Sequence, residues 1–85
     1  NENSLNERLI RMFSETVVSI DHAYNQIVIR TLSGSANIAA EAIDSLQWPE
    51  VLGTIAGDNT ILMIVRTVDE VMPLMERLNS MMHRS

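Results

Sequence analysis

The sequence predicts an α+β fold: a two-layer ββαββα sandwich whose four-stranded antiparallel sheet carries its helices on one face, preceded by a short N-terminal helix. Three observations point there. Two pairs of β-branched apolar runs are each divided by a short turn-forming segment, a stretch of helical apolar spacing follows each pair, and 85 residues suffice for one such unit only.

The elements follow in order. Ser4-x-x-Glu7 has capping-box spacing, and Leu5, Leu9, Met12 and Phe13 behind it recur at helical intervals, which predicts a helix over Leu5–Ser14. Thr16–Ile20 and Gln26–Leu32 read as a hairpin with a five-residue loop, Asp21–Asn25. Ser33-Gly34-Ser35 opens a second helix, which places Ile38, Ala39, Ala42, Ile43 and Leu46 on one face. Trp48 precedes Pro49 and is therefore biased away from helix, which ends the element and leaves Trp48 as a packing plug. Val51–Ala56 and Thr60–Arg66 form a second hairpin around Gly57-Asp58-Asn59, residues that supply or tolerate the positive φ of tight turns. Thr67-x-x-Glu70 announces a last helix carrying Val71, Leu74, Met75, Leu78 and Met81 or Met82; Pro73 fits only its first turn, so the start falls near Asp69. The six methionines suit core gap-filling better than a sulfur ligand set. Residues 1–14 read as a linker and short helix, and 15–85 as the domain proper. The polar opening Asn-Glu-Asn-Ser suggests a piece of a longer protein.

Such a sheet has a second face. Ile61-Leu62-Met63-Ile64-Val65 is apolar on both sides, as is much of Ile27-Val28-Ile29, whereas a solvated face alternates with polar residues. The N-terminal helix could shield part of it, but further copies of the chain are the more economical cover. Self-association is therefore expected from pattern alone. It also suits a chain this short, with no cysteine and hence no disulfide to reinforce a thin core.

Composition excludes several functions. Eleven acidic residues face six basic ones, for a net charge of −5, and all six bases are scattered arginines, so no basic stripe exists to neutralise the phosphates of a nucleic acid. No apolar run reaches a membrane span, no signal segment opens the chain, and the absence of cysteine fits a cytoplasmic location. His22 and His83 stand apart from any Ser–carboxylate partnership, and no metal-ligand spacing occurs, so neither nucleophilic catalysis nor a metal or other cofactor is expected. The acids are more promising. Glu41 and Asp44 share a helix face with Asn37 and the small Ala40, and Asp58 sits at the following hairpin bend, pointing off the end of the sheet. The plain alternatives are a solvated helix face and an ordinary turn. Together, several acceptors with few bases suit a cation such as free arginine, whose guanidinium takes a planar carboxylate through two parallel hydrogen bonds.

Gly53-Thr-Ile-Ala-Gly-Asp-Asn-Thr60 closely resembles the signature of the C-terminal domain of bacterial arginine repressors, whose usual form ends Gly-Asp-Asp-Thr. Ser19-Ile20-Asp21, Ile27-Val28-Ile29-Arg30-Thr31, Gly34-Ser-Ala-Asn37 and Ile43-Asp44-Ser-Leu46 follow the family's order and spacing, so the resemblance covers about Leu5 to Leu78. It implies a trimer, two of which stack into a hexamer, with L-arginine as co-repressor at the trimer–trimer interface. It also implies a separate N-terminal winged-helix domain that binds operators of arginine biosynthesis and catabolism genes and is not in this sequence. By position, Asp58 matches the aspartate that takes the guanidinium of an arginine held mainly by the opposite trimer. Asn37 stands where many members have Gln. Ala40, Asp44, Thr54 and Ala56 match positions that line the pocket or hold the amino-acid end of the ligand. Asn59 departs from the usual second Asp. Two other readings remain open here: an assembly-only domain of a paralogous regulator that no longer senses arginine, and an enzyme, since the ββαββα arrangement is similar to that of pterin dehydratases. The dehydratases depend on a histidine cluster that this sequence lacks.

Overall fold

The computed structural model describes residues 2–83, with side chains from Ser4 to His83. The order is α1 (Glu2–Thr16), β1 (Val17–Ala23), β2 (Gln26–Thr31), α2 (Ala36–Leu46), β3 (Val51–Ala56), β4 (Thr60–Val65), a single 3₁₀ turn (Val68–Glu70) and α3 (Val71–Met82). The strands form one antiparallel sheet in the order β1-β2-β4-β3. Both hairpins thus lie side by side, and the sandwich expected from the sequence is the architecture found.

The register explains which side chains form the core. Ile27, Ile29 and Thr31 of β2 and Ile61, Met63 and Val65 of β4 alternate inward and are buried. They meet Ala36, Ala39, Ala40 and Ile43 of α2 and Val71, Leu74, Met75, Leu78 and Met81 of α3. Phe13 of α1 and Val17 at the start of β1 complete the cluster. Phe13 is fully buried, which by itself contributes roughly 1.5–3 kcal/mol relative to exposure. Met63, Met75 and Met81 are buried gap-fillers, whereas Met72 is exposed.

Several local expectations need correction. The first helix runs two residues past Ser14 and begins by Glu2, so Ser4-x-x-Glu7 lies inside it and does not cap it. Nor does α1 shield the open sheet face: Leu9 and Phe13 are buried on the side occupied by α2 and α3. The first hairpin has no five-residue loop. β1 extends to Ala23 and the chain reverses at Tyr24-Asn25, with Tyr24 at φ 52°. Asn25 secures that turn through its own carbonyl, which accepts the Val65 amide, and its Nδ2, which donates to the Val65 carbonyl at 3.3 Å. The second hairpin turns without any positive φ at residues 57–59, because its three-residue loop closes through Gly57 N–H to the Thr60 carbonyl at 2.8 Å. Ile38 is half exposed, so the buried stripe of α2 is Ala36, Ala39, Ala40, Ala42 and Ile43. β2 and β4 each end one residue early, and α3 proper starts at Val71 after the 3₁₀ turn, with the Thr67 hydroxyl donating to Glu70 Oε1.

On the open face the paired residues form rows. Ser19, Arg30 and Thr60 make one row; Asp21, Val28, Leu62 and Ile55 the next; Ala23, Gln26, Ile64 and Gly53 the third. The face is polar over β1 and apolar over β4 and β3. Leu52 and Ile55 are 61% and 73% exposed, and no described helix packs over them.

One corner is held by charge. Trp48 packs against the core, and the Arg77 guanidinium lies 4.8 Å from its ring centroid while its Nη2 donates to Glu50 Oε2 at 3.1 Å. Arg66 Nε donates to the Pro49 carbonyl at 2.9 Å. The Glu50 carboxyl is held below its ordinary 4.5, first by its own backbone amide and then by Arg77, against the opposing effect of burial. A depressed folded pKa gives stability that is present above the unfolded value and is lost as pH falls through the folded one. Glu50→Gln is therefore expected to flatten the fall of the thermal midpoint on acidification from about pH 6 to about pH 3. An acid slope identical to the parent's would contradict this.

Candidate ligand groove between α2 and β3

α2 lies across the edge of the sheet beside β3, and the seam between them is a shallow open groove lined by Asn37, Ala40, Glu41, Asp44, Ser45, Gln47, Thr54 and Ala56. The helical spacing builds one wall. Asn37, Ala40, Glu41 and Asp44 recur at three- and four-residue intervals and so face one way. Thr54 and Ala56 build the other, since both pair with inward-facing β4 residues, Met63 and Ile61. Ala40 and Ala56 leave the room a ligand would need.

The two walls are joined at one point. Thr54 Oγ1 donates to Asp44 Oδ1 at 3.0 Å, which steadies the carboxylate and leaves it acceptor capacity for further donors. The C-terminal end of α2 closes the groove: Gln47 adopts the left-handed conformation at φ 55°, and its N–H donates to the Asp44 carbonyl at 3.2 Å. The Trp48–Arg77–Glu50 corner follows at once and anchors that end.

Asp58 and Asn59 do not line the groove. They sit beyond its other end, because the Ala36 N–H donates to the Asp58 carbonyl at 3.1 Å and so brings the hairpin turn to the first residue of α2, next to Asn37. The Asp58 side chain does not simply point off the sheet. Its Oδ2 accepts from Ser33 Oγ and from Gly34 N–H, each at 3.3 Å. Asn59 Oδ1 accepts from the Thr60 hydroxyl at 3.0 Å, and the Asn59 carbonyl accepts the Thr31 amide at 2.8 Å. The structure therefore brings Asn37, Ala40, Asp44, Thr54 and Ala56 together and leaves the turn pair adjacent. Ser45 and Gln47 were not singled out from the sequence. Ser45 was within reach of it, four residues from Glu41 on the same helix, but the left-handed Gln47 carried no local signal.

Among the described residues no cluster of acids and histidines is built to hold a metal ion, and no helix is long and apolar enough to cross a membrane. The family model for "Arginine repressor, C-terminal domain" matches residues 13–80. The chain belongs to this family. It is similar to the arginine repressors of Clostridium tetani (49% identical over 78 residues, 92% of this chain and 51% of the relative), Thermoanaerobacter sp. (48%, covering 91% and 51%) and Moorella thermoacetica (47%, covering 87% and 49%). It thus spans about half the length of the arginine repressors it matches. Arginine repressors are transcription regulators rather than enzymes, which sets the enzyme reading aside.

Proposed function

We propose that this chain is the effector-sensing and hexamerisation domain of an arginine-responsive transcriptional regulator. In this reading it binds L-arginine as co-repressor at the interface between two trimers, and so controls operator binding by an N-terminal DNA-binding domain outside the matched half. The observation that carries the reading is the groove: Asp44, its carboxylate steadied by Thr54 of the opposite wall, stands in line with Asn37 and Glu41, Ala40 and Ala56 leave room beside it, and the Asp58 turn meets the first residue of the same helix. Asp44 is placed to take an α-ammonium, and Asn37 to donate its amide to an α-carboxylate. Asp58 lies outside the groove of its own subunit, which suits a guanidinium acceptor for an arginine seated mainly in the opposing trimer. The acidic surface and the absence of a basic stripe support a fragment that does not itself bind DNA.

Copies of the chain are the partner assigned to the open sheet face. Its apolar half over β4 and β3 has no cover among the described residues, and a cyclic arrangement of identical subunits can bury it. Arginine binding and assembly then form one linked equilibrium, since a ligand shared by two trimers stabilises their contact.

Isothermal titration calorimetry of the chain with L-arginine tests the reading, and the absence of any binding would overturn it in favour of the assembly-only alternative. Asn59 sets the expected strength. A second carboxylate in the turn would add attraction for the guanidinium and repulsion between facing trimers without ligand. Asn59→Asp is therefore expected to tighten arginine binding about twofold to fivefold, the range of one exposed charge pair, and to make assembly more dependent on arginine. Unchanged affinity and unchanged assembly would remove Asn59 from the site.

A further inference from the structure

An aspartate on an exposed turn is ordinarily a mobile side chain, and ordering it on binding costs part of the interaction it makes. Asp58 is not free in that way. Ser33 Oγ and Gly34 N–H both donate to the same oxygen, Oδ2, at 3.3 Å, across 25 and 24 residues of sequence. The loop that presents these donors is itself fixed. Gly34 has φ +78°, a conformation L side chains rarely adopt, and Ser35 N–H closes the turn onto the Leu32 carbonyl at 3.0 Å. Backbone bonds hold the other partner in register: Ala36 N–H to the Asp58 carbonyl at 3.1 Å and Thr31 N–H to the Asn59 carbonyl at 2.8 Å. The carboxylate is thereby pinned by one oxygen. Oδ1 has no hydrogen bond from the described residues and stays open to a further donor, while Ser33 and Gly34 take the two lone-pair positions of Oδ2.

We infer that Ser33 and Gly34 are positioning groups for Asp58, holding its carboxylate in the orientation that a guanidinium engages. This rests on the arginine reading above. Neither residue touches the ligand; each acts through Asp58, by restricting its rotamers before the cation arrives, so affinity gains from the ordering already done. Asn59, next to Asp58 in the same turn, has no such clasp among the described residues, where its side-chain oxygen accepts from the neighbouring Thr60 hydroxyl. The turn thus offers one pinned acid and one locally bonded amide, and the pinned acid discriminates the planar cation.

The test is a double-mutant cycle by isothermal titration calorimetry with L-arginine up to millimolar concentration. Its arms are the unsubstituted chain, Ser33→Ala, Asp58→Ala and the double variant, with Ser33→Thr as the rescue that keeps the hydroxyl. Ser33 is exposed, so its loss leaves the core intact, and thermal midpoints check this. Ser33→Ala is expected to weaken arginine binding about threefold to tenfold, the size of an ordinary hydrogen bond, because the contact is exposed and 3.3 Å long. Ser33→Thr should restore it to within about twofold, and in the Asp58→Ala background Ser33→Ala should cost nothing more. Equal losses in both backgrounds would mean that Ser33 acts on the fold and not through Asp58. Undiminished binding by Ser33→Ala would refute the clasp while leaving arginine sensing intact. An unsubstituted chain that fails to bind arginine would refute the parent reading, and this inference with it.

Discussion

Asp58→Asn is expected to weaken L-arginine binding by about tenfold to a hundredfold, with little change in the thermal midpoint. The substitution keeps the size of the side chain and an acceptor for the Ser33 and Gly34 donors, so the clasp to the loop before α2 can persist. What it removes is the charge and the open oxygen Oδ1, in whose place the amide presents N–H donors towards the guanidinium. The estimate is kept below that for a buried pair because Asp58 is exposed and its attraction is screened. Citrulline, which lacks the guanidinium charge, should bind the parent and the variant alike. An arginine affinity that changes by less than about twofold would take Asp58 out of the ligand's reach.

Leu62→Asp is expected to disperse the assembly. Leu62 lies at the centre of the open face, between Val28 of β2 and Ile55 of β3, and faces away from the core. A carboxylate there would be solvated in the lone subunit and buried without a partner in the complex, a cost of several kcal/mol for each copy. The fold should survive, because Ile61 and Met63 on either side still point inward and remain buried. Sedimentation should therefore report monomers, and circular dichroism an unchanged secondary structure. A sedimentation coefficient equal to the parent's would show that this face is not where the copies meet.

The sequence exposed those parts of the fold that depend on local pattern. Both hairpins, α2 and the apolar stripe of α3 followed from β-branched runs, turn residues and helical spacing. The wall of the groove formed by Asn37, Ala40 and Asp44 followed from that same spacing. What it concealed was set by tertiary contact. α1 continues through Thr16, whose hydroxyl donates back to the Met12 carbonyl at 2.8 Å, a bond the capping-box pattern at Ser4 did not suggest. β1 reaches Ala23 because Tyr24 accepts a left-handed turn that its residue type does not advertise. The contact between Ser33 and Asp58 spans both α2 and β3, and no periodicity encodes it. The family signature pointed to the turn at Asp58, but the bond from Ser33 to its carboxylate depends on a contact between two distant segments.

Sedimentation velocity of the chain with and without L-arginine, with citrulline as control, tests the central claim most directly. The account predicts that arginine alone shifts the population from trimer towards hexamer, or sharpens an existing hexamer, while citrulline leaves it as it was. An assembly state indifferent to both ligands would contradict it, and would leave this chain an assembly domain without a sensor.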